Sequence, residues 1–440
     1  MKYLLIVISA ILIYLIPDLV FSSDESNYSN NSSPLTITNN SITNNSIIVS
    51  VLFGQFSINT NTYNTLRLLP EFNFWEISLG LDINYDFDVN GNFRITEWNS
   101  WQAILSKIQN FSIGTRDDPV FIKIGDIDDF TLGDGFIFNR YTDMLNYPAV
   151  NMRGFIFDLN FNYFGIESMA DNILLWDILG IRAFIRPFID DYDSILSNLE
   201  IGLTFGTDLN NQNMFPSPLT PYLFTYNTNS YGEVMIYGAD IGLTFINKEY
   251  FSLKGFADVA LIQNMGSGES VGLSGFIIQA IPYSLSLRIL QPEFLPEFFD
   301  TFYEISRSYK YQNLGLLSNN ISGFTGSTGI TLVSNEVSIN FQYESYFSDE
   351  INPSMLVSFE LSKDFLKLIG FKFSFERQNF VGINDLFYNY DGNSSFIITL
   401  DYYIMDNLKV SVDFEENYEL SSAGLVQPYT YIFVSTFIRF

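Results

Sequence analysis

The residues best suited to chemistry in this chain are two arginines and a set of carboxylates. Arg182 and Arg186, in "GIRAFIRPF", stand four apart with Phe184 between them. On a strand that spacing puts all three on one face. The same period-two parity places Asp82, Asp86, Asp240, Asp258, Glu344, Glu360, Glu376, Asp401 and Asp413 on the polar sides of their own strands. Two readings stay open. A basic pair facing many acids would set a transverse field across an aqueous path, where rings of charge decide ion preference. Alternatively the charges pair and fill a closed interior.

Other chemistry is short of parts. The chain has no His and no Cys. That removes Ser-His-Asp and Cys-His nucleophilic chemistry, the usual general base near neutral pH, and thiolate metal sites. The expectation is not an enzyme, with no catalytic residue, no metal site and no cofactor. "IGDIDDFTLGDGF" gathers Asp126, Asp128, Asp129 and Asp134 among glycines, but Phe130 stands where an EF-hand loop wants its third ligand. A polar turn between two strands is the better reading, with weak divalent binding left open. There is no Gly-rich phosphate loop. With 49 Asp+Glu against 21 Lys+Arg and a net charge of −28, no nucleic acid partner is expected.

The elements that must position these residues follow from pattern. The 440 residues are 47% hydrophobic and 17% aromatic, with 44 Phe and 27 Tyr, so the chain folds. Residues 1–22 read as a signal peptide: Lys2, the apolar run Tyr3–Ile16, then Pro17. Residues 23–46, rich in Asn, Ser and Thr, read as a flexible tail. From Ile47 onward period two dominates. In "FWEISLGLDINYDF" Trp75, Ile77, Leu79, Leu81, Ile83, Tyr85 and Phe87 alternate with Glu76, Ser78, Gly80, Asp82, Asn84 and Asp86. "VSINFQYES", "GFKFSFER" and "LKVSVDFEE" repeat the pattern. Such strands face two different solvents. They run about 9–13 residues, the length of a tilted membrane-spanning strand rather than of a soluble one. Connections alternate short and long, which is the topology of a transmembrane barrel.

The last strand sharpens this. In "IFVSTFIRF", Ile432, Val434, Ile438 and the final Phe440 share one parity, with Thr436 the exception. That ending resembles the C-terminal signal of bacterial outer-membrane β-barrel proteins, so Ile438 and Phe440 are assembly-signal candidates. The resemblance covers ten residues sharply and the remainder as a general pattern. It implies an all-β, single transmembrane antiparallel barrel over residues 47–440, located in the outer membrane. The count is about 16–18 strands, an even number. Ser50–Ile58 pairs or lies outside; Met152–Ser168 is one long strand or a hairpin turning at "NFN".

Two stretches carry helical stripes instead: Trp98, Trp101, Leu105 and Ile108, and Phe298, Phe302, Ile305 and Tyr309 after Pro296. Both fall in long connections. They read as helices packed on the rim, or folded into the mouth. The function expected is a porin-like channel for passive diffusion of small solutes through an acidic lumen. The alternatives are a surface-exposed structural or adhesion barrel with a closed lumen, and an importer of apolar, lipid-like molecules. The partners expected are outer-membrane lipid, lipopolysaccharide or its equivalent, the barrel-assembly machinery, and small solutes or cations.

Overall fold

A sheet of alternating strands placed in lipid must close on itself. An open edge would leave backbone N–H and C=O groups unbonded in hydrocarbon. This chain closes. The computed structural model describes residues 45–58, 61–116, 118–145, 147, 152–191, 194–210, 214–215, 225–226, 232–332, 336–387, 393–420 and 426–439. Among them, 20 strands form one barrel with every neighbour antiparallel.

In order these are β1 Ser46–Ile58, β2 Asn61–Phe74 and β3 in two pieces, Ile77–Leu81 and Ile83–Asp88. Five short strands follow: β4 Ile108–Ile113, β5 Val120–Gly125, β6 Gly154–Asn160, β7 Phe164–Ala170 and β8 Ile178–Ile185. Then come β9 Leu199–Asp208, β10 Val234–Lys248, β11 Phe251–Ile262, β12 Ser267–Ile277, β13 Ile281–Leu290 and β14 Ile321–Leu332. The last are β15 Val337–Tyr346, β16 Ser354–Leu361, β17 Ile369–Arg377, β18 Ser394–Met405, β19 Leu408–Leu420 and β20 Val426–Arg439. β20 pairs with β1 from Ile48 opposite Arg439 to Gln55 opposite Ile432, which seals the wall.

The barrel therefore has more strands than the about 16–18 expected from pattern. Ser50–Ile58 belongs to β1, which pairs on both sides. Met152–Ser168 is a hairpin, β6 and β7, turning at residues 161–163. Strands as short as β4 and β5 escape an expectation of 9–13 residues. Ile438 sits in β20 opposite Val49 and Leu408. Phe440, residues 1–44 and most of the connection at 209–233 lie outside the described residues.

The two faces match parity. In β8, Ile178, Gly180, Arg182 and Phe184 are buried, while Ile181 and Ile185 are exposed. In β13, Ser286, Arg288 and Leu290 point in; Leu285, Leu287 and Ile289 point out. In β20, Tyr431 and Phe433 are buried and Ile432 and Val434 exposed. The exterior is thus an apolar belt of the kind that faces acyl chains. Long connections gather at one end, at 89–107, 126–153, 209–233, 291–320 and 378–393; the other end carries tight turns such as 75–76, 249–250 and 406–407.

Two helices matter. α1 (Trp101–Leu105) is capped by Ser100, whose hydroxyl accepts from the Ala103 N–H at 3.1 Å. Of the expected stripe, Ile108 instead begins β4. α2 (Tyr303–Leu314) starts later than Pro296 suggested and is buried in the mouth rather than resting on the rim.

Parity makes a direct test. Phe373, in the middle of β17, faces outward and meets the Phe396 ring at 5.5 Å; Ser374 faces the interior opposite Ser358. Phe373→Arg should destabilise the barrel by about 2–4 kcal/mol and Ser374→Arg by much less. Urea unfolding in lipid vesicles measures both. The reverse order would place β17 one residue out of register.

Candidate pore constriction

The chain between β5 and β6 turns into the barrel instead of over it. Phe130 and Tyr141 exchange backbone hydrogen bonds at 2.9 and 3.0 Å, folding residues 130–141 back on themselves. The segment then joins the β13–β14 connection. Asn139 N–H donates to Phe299 O at 3.0 Å, and Phe299 N–H to Ile137 O at 3.1 Å. The Phe138 and Phe299 rings stack at 4.3 Å. The two segments thus form one wedge inside the mouth.

Its seat is cut into the wall. A Cβ at Gly180 or Gly206 would meet the Phe138 ring at 2.8 or 2.7 Å, so these strand positions admit the ring only as glycine. Around them the inward residues are apolar: Ile156, Met169, Ile178, Val234, Ile236 and Ile262 all pack on the wedge. This seat had a sequence signal. Runs such as "VMI" at 234–236 and "LI" at 261–262 are apolar in both parities, which a water-filled lumen does not require.

Charge pins the wedge in place. Arg307 of α2 is fully buried. It bonds Glu304 at 2.6 Å and Asp171 at 3.1 Å, and lies 3.8 Å from both Asp177 and Asp208. Tyr303 donates to Asp208 at 2.7 Å, and Tyr141 donates to Glu304. Burial pushes the Asp171 and Glu304 carboxyls up from their ordinary range, against the pull of Arg307. Beyond Glu304, three residues earlier on the same helix, the spacing of Arg307 did not announce this role, because Asp171 and Asp177 come from the 171–177 connection and Asp208 from β9.

The nine acids and two arginines named from parity divide into two zones of the structure. In the packed zone, Asp82 accepts from Arg67 at 2.5 Å and from the Tyr147 hydroxyl at 2.8 Å. Asp86 accepts from Thr65 at 2.6 Å. Arg182 holds Asp240 through two bonds, of 2.5 and 3.0 Å, and also Glu200 at 2.8 Å and Glu167 at 3.4 Å. Arg186 bonds Glu200 at 2.9 Å. Asp258 stands directly opposite Asp240, with one oxygen lacking a hydrogen-bond partner.

In the second zone some pairs are wetter, although Arg288, Glu376, Asp401 and Asp413 are buried. Arg140, on the wedge, reaches across to Glu376 of β17 at 2.9 Å. Lys372 bonds Glu360 at 3.0 Å, and Lys409 bonds Asp401 at 2.8 Å. Glu344 accepts from Arg288 at 2.7 Å. Asp413 faces the same way on β19. The Lys372 side chain is 42% exposed and Arg140 25%, against 1% for Arg67 and 0% for Arg307. An opening between wedge and wall is lined by Asn139, Arg140, Thr301, Gln342, Glu344 and Glu376. Farther along, Asn417 of β19 donates to Leu145 O at 2.7 Å, so the inward segment crosses from β5 to β19.

The acidic stretch at 126–134 starts this inward segment, rather than forming a surface turn between two strands. Its carboxylates diverge: Asp126 to Arg153, Asp128 toward Lys123 at 3.7 Å, Asp134 to Lys254 at 2.6 Å. No group of three acids among the described residues is placed to hold a metal ion.

No family model matches the chain, and no curated protein matches it. Solved structures do align. The outer membrane protein opdK from Pseudomonas aeruginosa matches over 90% of this chain and 98% of its own, at 8% identity and a TM-score of 0.38. OprD from Pseudomonas aeruginosa covers 90% and 94%, at 8% identity and 0.35. Omp33 from Acinetobacter baumannii covers 63% and 98%, at 9% identity and 0.25. Similarity this distant carries no argument about this chain, whose architecture rests on its own strand pairing.

Wedge docking should depend on pH. The Asp143 carboxyl is buried and accepts from the Ile127 N–H at 2.9 Å with one oxygen; the other has no hydrogen-bond partner among the described residues. Burial, with Asp126 and Asp128 close by, holds its pKa well above the ordinary range, and Arg153 only partly offsets this. A carboxyl raised on folding stabilises fully below about pH 4, and that contribution is lost as pH rises toward the shifted value. Hydrogen-exchange protection of the Ile127 amide should therefore fall as pH is raised above the ordinary carboxylate range. Asp143→Asn keeps the acceptor without the charge and should flatten the profile. Equal pH dependence in both proteins would show that Asp143 is not the titrating group.

Proposed function

We propose that the chain is a porin-like channel of a bacterial outer membrane, exported on a cleaved signal peptide at residues 1–22 and passing small solutes by passive diffusion. The observation that carries this reading is the split interior. Wedge and wall pack together around Phe138 and Phe299, while beside β16–β19 the side chains of Arg140, Glu360, Lys372 and Lys409 keep between 24 and 42% of their surface open to water. Solute would move along that crescent, past Arg140 and Glu376. A barrel of this size leaves an aqueous lumen wherever its interior is not filled. No step of bond making or breaking is needed, and the partners are the surrounding lipid and lipopolysaccharide, the assembly machinery that folds the barrel, and the solutes themselves.

The lumen would favour cations. On the β15–β19 side Glu344, Glu360, Glu376 and Asp401 are paired with Arg288, Lys372, Arg140 and Lys409, and Asp413 has no ion-pair partner among the described residues, which leaves one more acid than base. A low-dielectric wall strengthens the field of an ionised carboxylate on a passing ion. Salt screens it, with a Debye length of about 10 Å at 0.1 M. Reversal potentials across a KCl gradient in planar bilayers should show cation preference that weakens as salt rises. Arg140→Ser should raise both conductance and cation preference; Glu360→Gln with Glu376→Gln should lower the preference. Anion preference would overturn the acidic lumen. Absence of conductance in the parent protein and in Arg140→Ser would favour a closed, structural barrel, a reading that the depth of the wedge also supports.

A further inference from the structure

The wall of this barrel is not equally tall all round. β4 and β5 have 6 residues each and β6 and β7 have 7, against 13 in β1, 14 in β2 and 15 in β10. A tilted strand of six residues rises roughly 15 Å, well short of an apolar belt about 25 Å tall. The upper piece of β3, Ile83–Asp88, pairs with β2 on one edge, and on the other, among the described residues, it meets only the start of the following connection, through the Phe87–Phe93 bridge. Two connections stand above this low stretch, at 89–107 and 171–177.

Their polarity is reversed relative to loops in water. In 89–107 the charged residues Arg94, Glu97 and Lys107 are buried, bonded to one another and to interior groups such as Asn84. Its exposed surface has no charge: apart from Asn90, Gly91 and Asn92 at the tip and Asn99, the large exposed side chains are Val89, Phe93, Ile95, Trp101 and Ile104, with Trp101 and Ile104 on the outer side of α1 while Ala103 is buried. In 171–177 Asp171, Asn172 and Asp177 are buried, and Trp176 is exposed. Ring contacts tie both segments to the lipid face. Phe93 and Trp98 lie 5.7 and 6.0 Å from outward Tyr85, and Trp176 lies 6.1 Å from outward Phe155.

Irregular backbone survives against hydrocarbon only if its polar groups are bonded within the protein. That condition is met at the amides of Ile95, Trp98, Ile104 and Trp176. Ile95 N–H donates to Phe93 O, Trp98 N–H to Ile95 O and Ile104 N–H to Ser100 O, all within 3.1 Å. Trp176 N–H donates to Asn172 O at 2.8 Å. The indoles of Trp98 and Trp176 donate to Asn84 O and Ile173 O at 3.0 and 2.8 Å.

We infer that segments 89–107 and 171–177 complete the lipid-facing belt above the short strands, with Ile95, Trp101, Ile104 and Trp176 packed against acyl chains of the surrounding bilayer. The occupant follows from continuity: the same aromatic surface runs unbroken from the strands into the two segments, and neither presents an exposed charge.

The chain has four Trp and no Cys, which makes the test clean. Variants retaining only Trp101 or only Trp176, the others changed to Phe, are folded into phosphatidylcholine vesicles whose acyl chains carry bromine at mid-depth. Emission of each should fall at least about twofold relative to unbrominated lipid, while aqueous iodide has little effect. As a second reporter, Ile104→Cys in the parent chain, labelled with a polarity-sensitive dye, should emit as if in hydrocarbon. Strong iodide quenching with no effect of bromine would overturn the inference and leave both segments in water. Quenching by neither would also overturn it, because the face would then be covered by protein such as a second copy of the chain.

Discussion

Everything in this molecule depends on closure of one sheet. Residues spaced by two can keep an apolar face toward lipid only if no backbone donor is left at an edge, and β1 on β20 removes the last edge. Closure also creates an inside. Once the wall is sealed, each inward side chain must be hydrated, paired or covered, and the chain uses all three solutions in different sectors.

Covering dominates beside β6–β14. There the interior is built like a soluble core, with stacked phenylalanines seated on strand glycines and a buried arginine tying α2 to the 171–177 connection and β9. The arginine contributes position more than net stability, since burying ions costs about as much as their attraction returns. Its loss would nonetheless be severe, because the buried Asp171, Glu304 and Asp208 would lose the cation they share. Hydration is kept for the opposite sector, where Lys372, Glu360 and Arg140 meet water. A single connection, 126–153, belongs to both sectors: its phenylalanines fix the wedge and its Arg140 borders the opening.

The uneven wall follows from the same arrangement. Connections that dive inward leave β5 and β6 early, so those strands end low. The exterior above them falls to segments whose polarity is turned inside out. Buried charge within 89–107 and exposed tryptophan on α1 are two results of one geometry, with an ionic interior on one side and an apolar surround on the other.

Periodicity alone determined the class of this protein. Alternation at Phe74–Phe87 or Leu408–Glu416 assigns each side chain to a face without any long-range information, because a strand's two faces are a local property. For the same reason the inward orientation of Asp82, Arg182 and Glu376 was legible. The strand number was not, since β4 and β5 are too short to signal a span and only pairing on both edges shows that they belong to the wall. Nor was the division of the interior. Arg307 and Arg140 sit in connections outside the strand alternation, and their partners lie from 3 to 236 residues away along the chain. Whether an inward carboxylate meets water or an arginine depends on where a connection comes to rest, and that is decided by packing across the barrel, which only the tertiary structure contains.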